Sequence, residues 1–89
     1  MRSDFLFRML FADILPPAVV ENMLDARLRE IDTTIARMDA RAQNGFENVG
    51  EEFLNGFAAT VQRAMADYIE ENRYQLVASS LVPQRAVTE

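Results

Sequence analysis

The sequence predicts an all-α protein, in which a short apolar N-terminal helix precedes a long antiparallel helical hairpin that associates into oligomers. Two segments carry apolar residues at alternating spacings of four and three, which is the pattern of a helix face. Gln43–Gly45 separates these segments and Pro16–Pro17 precedes them; both are typical helix boundaries. The 89 residues suffice for one domain. We assign residues 1–80 to this domain and 81–89 to a C-terminal tail.

The first predicted helix begins at Ser3, a favourable N-cap residue, and ends near Leu15, ahead of two prolines. Six of the seven residues in Phe5–Phe11 are apolar. A helix that is apolar on nearly every side must be covered on every side, and so small a chain has little mass with which to cover it. We therefore expect burial between chains, through Phe5, Phe7, Leu10 and Phe11.

The second predicted helix begins at Pro17 and ends near Ala42. Proline suits the first position of a helix because its missing N–H group has no partner to lose there. The outer face carries charges of both signs, typical of a solvated face with pairs such as Asp25–Arg29. The apolar face forms a heptad seam of nearly three repeats, and its members are Leu24, Leu28, Ile31, Ile35, Met38 and Ala42.

The third predicted helix runs from Val49 to Val77 or Ser80, with Asn48 and Glu51 at the spacing of a capping box. Its seam comprises Leu54, Ala58, Val61, Met65, Tyr68 and Asn72. A second apolar edge comprises Phe53, Phe57 and Ile69. A face this broad exceeds what one helix covers, so we expect it to meet two.

Antiparallel folding predicts two sets of neighbours across the hairpin. Ile35 and Met38 should lie near Leu54 and Ala58, and Leu24 should lie near Met65 and Tyr68. Asn72 either fixes the register of a helix pair, as a polar residue in a seam does, or lies solvated at the seam's end.

The residue types that are missing exclude several kinds of chemistry. The sequence has no Cys, no His and no Lys. Thiolate sites, histidine bases and lysine Schiff bases are therefore excluded. Two acidic clusters, around Glu51 and Glu70, cannot form a Glu-x-x-His di-iron site without His and are interpreted as solvated faces. We expect no catalytic residue, no cofactor, no metal and no small-molecule substrate, and hence no enzyme.

Net charge and hydropathy bound the partners. A charge of −5 argues against a nucleic-acid contact made by this chain itself and against docking on an anionic membrane. The aromatic residues Phe53, Phe57 and Tyr68 lack the interleaved basic residues of a base-stacking surface. No run approaches the roughly 20 apolar residues of a membrane-spanning helix. The expected location is cytoplasmic, or inside a virion or other assembly.

Two stretches resemble a known family. The Phe5–Pro17 segment, followed by Leu24–Asp32, is similar to the C-terminal dimerisation domain of PadR-like transcription regulators, where a short apolar helix with a Leu-Pro-Pro break precedes a long helix rich in Leu, Glu and Arg. The Ala66–Glu71 stretch is similar to their last helix. The resemblance implies a dimerisation module that is detached from the winged helix with which those regulators bind DNA.

We therefore expect a non-enzymatic helical module for protein–protein interaction or oligomerisation. One alternative is a small structural subunit of a larger particle, such as a phage virion or a multiprotein assembly. Another is a small acidic inhibitor, for which −5 is a mild charge. The expected interface residues are Phe5, Phe7, Leu10, Phe11, Leu24, Leu28, Ile31, Ile35, Phe53, Phe57, Tyr68 and Asn72.

Overall fold

The structure is a computed structural model that describes residues 4–80. Its elements are α1 (Asp4–Met9), a 3-10 turn (Ala12–Ile14), α2 (Pro17–Gln43) and α3 (Val49–Ala78). Helices α2 and α3 pack against each other as an antiparallel hairpin. The predicted all-α fold, with its short N-terminal helix and long hairpin, is therefore confirmed. The predicted N-cap and the tail, residues 3 and 81–89, lie outside the described residues.

The N-terminal segment is shorter as a helix than the sequence predicted. Helix α1 ends at Met9, and the amides of Leu10 and Phe11 then bond to carbonyls three residues back, at 3.2 and 3.0 Å. Leu15 is extended, with φ −104° and ψ 149°, because the ring of Pro16 excludes the helical conformation there. The segment tightens into a 3-10 turn to reach this break. Pro17 is the first residue of α2, as predicted.

The turn between α2 and α3 confirms the predicted break and cap. Gly45 has φ +85°, a conformation that favours glycine because it has no Cβ. The Asn48 side chain accepts a hydrogen bond from the Glu51 amide at 2.8 Å and caps α3. Arg41 ties the turn together, because its guanidinium donates to the Gly45 carbonyl at 3.1 Å and to the Glu51 carboxylate at 2.8 Å. The same guanidinium lies over the ring of Phe46.

The hydrophobic core lies at the open end of the hairpin, where α1 and the 3-10 turn cross it. Ala12, Val20 and Leu24 are its buried members. Partly buried residues from both ends of the chain pack around them: Phe5, Met9, Leu15, Ile69, Leu76 and Val77. The cluster around Leu24 thus involves a later part of α3 than the predicted neighbours, Met65 and Tyr68.

The side of α3 that faces α2 differs from the predicted side, which was chosen as the most apolar one. Two members of the predicted seam, Leu54 and Tyr68, are 65% and 67% exposed. Asn55 instead bonds across the hairpin to the carbonyl of Met38, which was predicted to lie at this level. Three members of the predicted seam, Ala58, Met65 and Asn72, are half-buried. A neighbouring line on α3 is half-buried or buried along its whole length, and its members are Asn55, Ala59, Gln62, Ala66, Ile69, Arg73 and Leu76. The side of α3 that faces α2 is therefore shifted from the predicted seam towards the next residue.

Contacts at the turn lie on the side of α3 that faces α2. Glu51 lies one helical turn before Asn55 and on the same side, and its carboxylate pairs with Arg41 of α2. The buried Ala59 then lets the two helices approach closely. Phe53 and Phe57, which lie on the other side of α3, point away from α2 as a result and are exposed.

Candidate interaction surface

The described part of the chain buries few apolar residues and exposes many. Among residues 4–80 the buried hydrophobic residues number five, and two of these are alanines. Thirteen large hydrophobic residues in the same range are exposed. Single exposed apolar residues are ordinary, whereas contiguous groups mark interaction sites. Most of the thirteen fall into two such groups.

The first group, here called the N-terminal surface, is the outer side of α1 and the 3-10 turn. It comprises Leu6, Phe7, Leu10, Phe11 and Ile14, which are between 45% and 74% exposed. The Phe7 and Phe11 rings meet edge to face, with their centroids 5.4 Å apart. The opposite side of the segment carries Phe5, Met9 and Ala12, which pack on the hairpin.

The second group, here called the α3 stripe, lies on the side of α3 away from α2. It comprises Phe53, Leu54, Phe57, Val61 and Tyr68, which are between 40% and 67% exposed. The rings of Phe53 and Phe57 are stacked, with their centroids 6.2 Å apart. The two groups lie towards different ends of α3. The segment that carries the N-terminal surface packs near the end of α3, whereas the α3 stripe begins beside the turn between α2 and α3.

The middle of the α3 stripe is almost free of charge. Between Glu52 and Asp67 the only charged residue is Arg63. The guanidinium of Arg63 pairs with Asp39 of α2 at 3.1 Å, so its charge is directed to the hairpin. Depletion of charge around exposed aromatic residues is typical of the centre of a protein–protein interface.

The residues predicted for an interface divide into two sets in the structure. Leu24 and Ile31 are buried and Phe5, Leu28 and Ile35 half-buried within the chain, where they hold the helices together. The exposed set is Phe7, Leu10, Phe11, Phe53, Phe57 and Tyr68. The exposed set therefore supplies the candidate surface for another molecule.

Asn72, the remaining predicted residue, is half-buried and donates from its amide to the Tyr68 carbonyl of its own helix at 2.9 Å. Asn55, and not Asn72, bonds across the hairpin, because its side-chain amide donates to the Met38 carbonyl at 3.2 Å. Asn55 could not be predicted from the apolar pattern of α3, because it lies beside the most apolar spacing and not on it.

Arg73 was also missed, and it forms the largest group of ion pairs in the described residues. Its guanidinium lies 2.7 Å from Asp25 and 3.5 Å from Glu21, both on α2, and 3.8 Å from Glu70. Asp25 therefore pairs across the hairpin with Arg73, and the predicted pair with Arg29 is not formed. The hydrogen bond that Arg73 donates to the Asp25 carboxylate raises the pKa of Arg73. Desolvation opposes this rise, and the negative charges of Asp25, Glu70 and Glu21 add to it.

Residues 4–80 contain no cluster of three or more acidic, histidine or cysteine residues placed to hold a metal ion. Within the same range, none of the helices combines the length and hydropathy needed to span a membrane. A surface depression on α2 is lined by the exposed residues Arg29, Glu30 and Thr33, with Ala26 and Thr34 beside them.

No family model, curated protein or solved structure matches this chain. The resemblance to PadR-like dimerisation domains therefore stays a prediction. The function has to be argued from the two surfaces alone.

Proposed function

We propose that this chain is a non-enzymatic helical module that binds other protein chains, copies of itself or subunits of a larger assembly, through its exposed apolar side chains. One observation carries the proposal: five apolar residues of the N-terminal surface stay 45% to 74% exposed, although the segment is anchored on the core by its other side. Contact with water does not stabilise two phenylalanines and three aliphatic residues at this position. Contact with the apolar surface of another protein does.

The exposed area supports this proposal. A whole aromatic side chain has an accessible surface of about 200 Å². A whole aliphatic side chain has about 100 Å², the area that corresponds to its burial free energy at ~25 cal/mol/Å². With the exposed fractions of its members, the N-terminal surface presents about 400 Å² and the α3 stripe about 500 Å². The largest apolar patch of a typical monomer is roughly 300–600 Å². This small chain has two surfaces in that range.

The small core adds a second reason. A chain of this length buries only about 60–65% of its unfolded surface when it folds alone. The described core rests on Val20, Leu24 and Ile31 as its large buried residues. Covering the two surfaces would contribute apolar burial that the isolated chain lacks, so association and stability should rise together.

The test is the native mass of polar variants, measured by light scattering. Phe7→Gln and Leu10→Gln change the N-terminal surface, and Tyr74→Gln is the matched control because Tyr74 is 83% exposed and belongs to neither surface. If the wild-type chain forms an oligomer, we expect the first two variants to have a smaller native mass than the wild type. If the wild-type chain aggregates, we expect these two variants to be soluble. The control should behave as the wild type does in either case.

The two supporting results separate the possible partners. A defined wild-type oligomer that dissociates in the variants supports self-association. A wild-type chain that aggregates alone, but dissolves in the variants, supports a place beside a different subunit of a larger assembly. A wild-type monomer that stays soluble at high concentration, with variants indistinguishable from it, would refute the proposal.

A further inference from the structure

We propose that the α3 stripe is the docking site of a second copy of this chain, which binds antiparallel with its two-fold axis near the stripe's middle, between Phe57 and Val61. The inference rests on the proposed function and names the occupant of one of its two surfaces. It does not require the N-terminal surface to bind the same partner.

The area of the stripe fits a symmetric dimer of modest affinity. Two stripes of about 500 Å² bury about 1,000 Å² together, which is the lower limit for a specific interface, and rim residues add to it. Interfaces of this size belong to the weak, reversible class. We therefore expect a dissociation constant on the order of micromolar.

Charge favours a copy of the stripe as the occupant. The stretch 53–66 offers a partner almost no charge, since Arg63 is held by Asp39. A strongly acidic or basic partner would find nothing in the centre to pair with, and its own charges would be desolvated without compensation. An uncharged aromatic surface avoids that cost. The α3 stripe is itself such a surface, and in a two-fold dimer the same patch faces its copy.

Side-chain size favours the antiparallel orientation. Gly50 and Ala64 lie on the same side of α3 as the large residues of the stripe and are exposed. When two copies run antiparallel about the proposed axis, Leu54 of one copy faces Ala64 of the other, and Tyr68 faces Gly50. Large residues opposite small ones pack without voids.

A parallel pair has no such complementarity. In register, it would place Phe57 against Phe57 of the copy and Ala64 against Ala64 of the copy. Large residues then meet large ones, and small residues meet small ones. The antiparallel pair matches large residues with small ones instead.

A crosslinking experiment tests the orientation directly, because the chain contains no cysteine of its own. Leu54→Cys and Ala64→Cys are prepared as separate full-length variants and treated with a short bis-maleimide crosslinker, singly and mixed. In the antiparallel dimer each position is offset from its own copy by ten residues, about 15 Å along the helix axis. We expect crosslinked dimer from the mixture and little from either variant alone.

Efficient crosslinking of Leu54→Cys alone and of Ala64→Cys alone would overturn the antiparallel arrangement. A second variant keeps the assignment of the surface testable. Phe57→Gln removes an aromatic ring from both sides of the interface, so we expect the dissociation constant to rise on the order of 100-fold. Tyr74→Gln again serves as the control.

The outcomes separate this inference from the proposed function. If Phe57→Gln leaves the native mass unchanged while Phe7→Gln or Leu10→Gln reduces it, the module binds protein through its N-terminal surface and the assignment of the α3 stripe is wrong. If Phe57→Gln abolishes the dimer and the N-terminal variants retain it, the inference stands. If none of these substitutions alters the behaviour of a soluble wild-type monomer, both fail.

Discussion

Truncating one leucine on each long helix, and comparing the two losses of stability, tests which side of α3 faces α2. The sequence places Leu24 and Leu54 in equivalent seams, so the pattern alone predicts equal losses of stability on truncation. The structure predicts unequal losses, because Leu24 is 3% exposed and Leu54 is 65% exposed. The pair Leu24→Ala and Leu54→Ala therefore tests the shift of the α3 seam.

The expected magnitudes follow from burial. Leu24→Ala removes a fully buried side chain next to Ala12 and Val20; such truncations cost about 2–5 kcal/mol, and we expect about 2–4 kcal/mol because α1 can partly collapse onto the space. Leu54→Ala loses only about a third of a full burial worth roughly 1.5–3 kcal/mol, hence about 0.5–1 kcal/mol. A chain of this size has a total free energy of unfolding of only about 4–13 kcal/mol.

Urea unfolding followed by circular dichroism measures both losses. The protein concentration should lie well below the expected micromolar dissociation constant, so that association does not contribute to the free energy of unfolding. At higher concentration the Leu54→Ala deficit should grow, since that side chain then lies in the dimer. If Leu54→Ala costs as much as Leu24→Ala in the dilute monomer, the shift of the α3 seam is wrong.

Five further substitutions test the contacts that set the turn and the hairpin register. Gly45→Ala should destabilise the protein by about 1–2 kcal/mol because Gly45 has φ +85°. Gly56→Ala should stabilise it by up to about 1 kcal/mol, since Gly56 lies within a helix with open space at its Cβ position. Thermal melts in which both substitutions shift the melting temperature in the same direction would refute this. Arg73→Gln should cost about 1 kcal/mol at low salt and less at high salt, as partly exposed ion pairs do; an unfolding deficit that does not shrink with salt would contradict the ion-pair account. Asn55→Ala should destabilise the hairpin by about 1 kcal/mol, and Asn72→Ala should destabilise it by less. Chemical denaturation measures both losses, and a larger loss for Asn72→Ala would contradict the prediction.

Helix boundaries could be predicted from the sequence because local chemistry sets them. Pro17 begins α2 for lack of an N–H group, Gly45 supplies the positive φ of the turn, and Asn48 caps α3. Each effect acts within a few residues, so a single sequence contains the information. The end of α1 at Met9 and the 3-10 turn that follows it were not predicted, because they depend on how the segment packs on the hairpin.

The shift of the α3 seam could not be predicted because the helix carries two overlapping seams, one residue apart. The more apolar one contains Leu54 and Tyr68, and periodicity selects it. The hairpin uses the other, which holds small and polar residues whose partners lie elsewhere in the chain. Arg73 reaches Asp25 across 48 residues of sequence, and Asn55 bonds to a backbone carbonyl. Neither contact leaves a mark in a hydropathy pattern.

The candidate surfaces were predicted in part, for the same reason. The apolar character of Phe7, Leu10 and Phe11 is visible in the sequence, and so is the breadth of the apolar face of α3. The sequence could not show that Phe5 is half-buried beneath the Arg27 guanidinium, whose carbon lies 5.2 Å from the centre of the Phe5 ring. It also could not show that Leu24 and Ile31 are buried within the hairpin. Sorting inner from outer residues needs the tertiary structure.

Sedimentation equilibrium of the unmodified chain over a wide concentration range measures self-association through the α3 stripe. We expect a mass that rises reversibly from that of the 10.1 kDa chain to at least twice that value, with a midpoint on the order of micromolar. We also expect Phe57→Gln to shift this midpoint upward and Tyr74→Gln to leave it unchanged. A single species of monomer mass at every concentration, for the wild type and both variants alike, would contradict self-association through the α3 stripe.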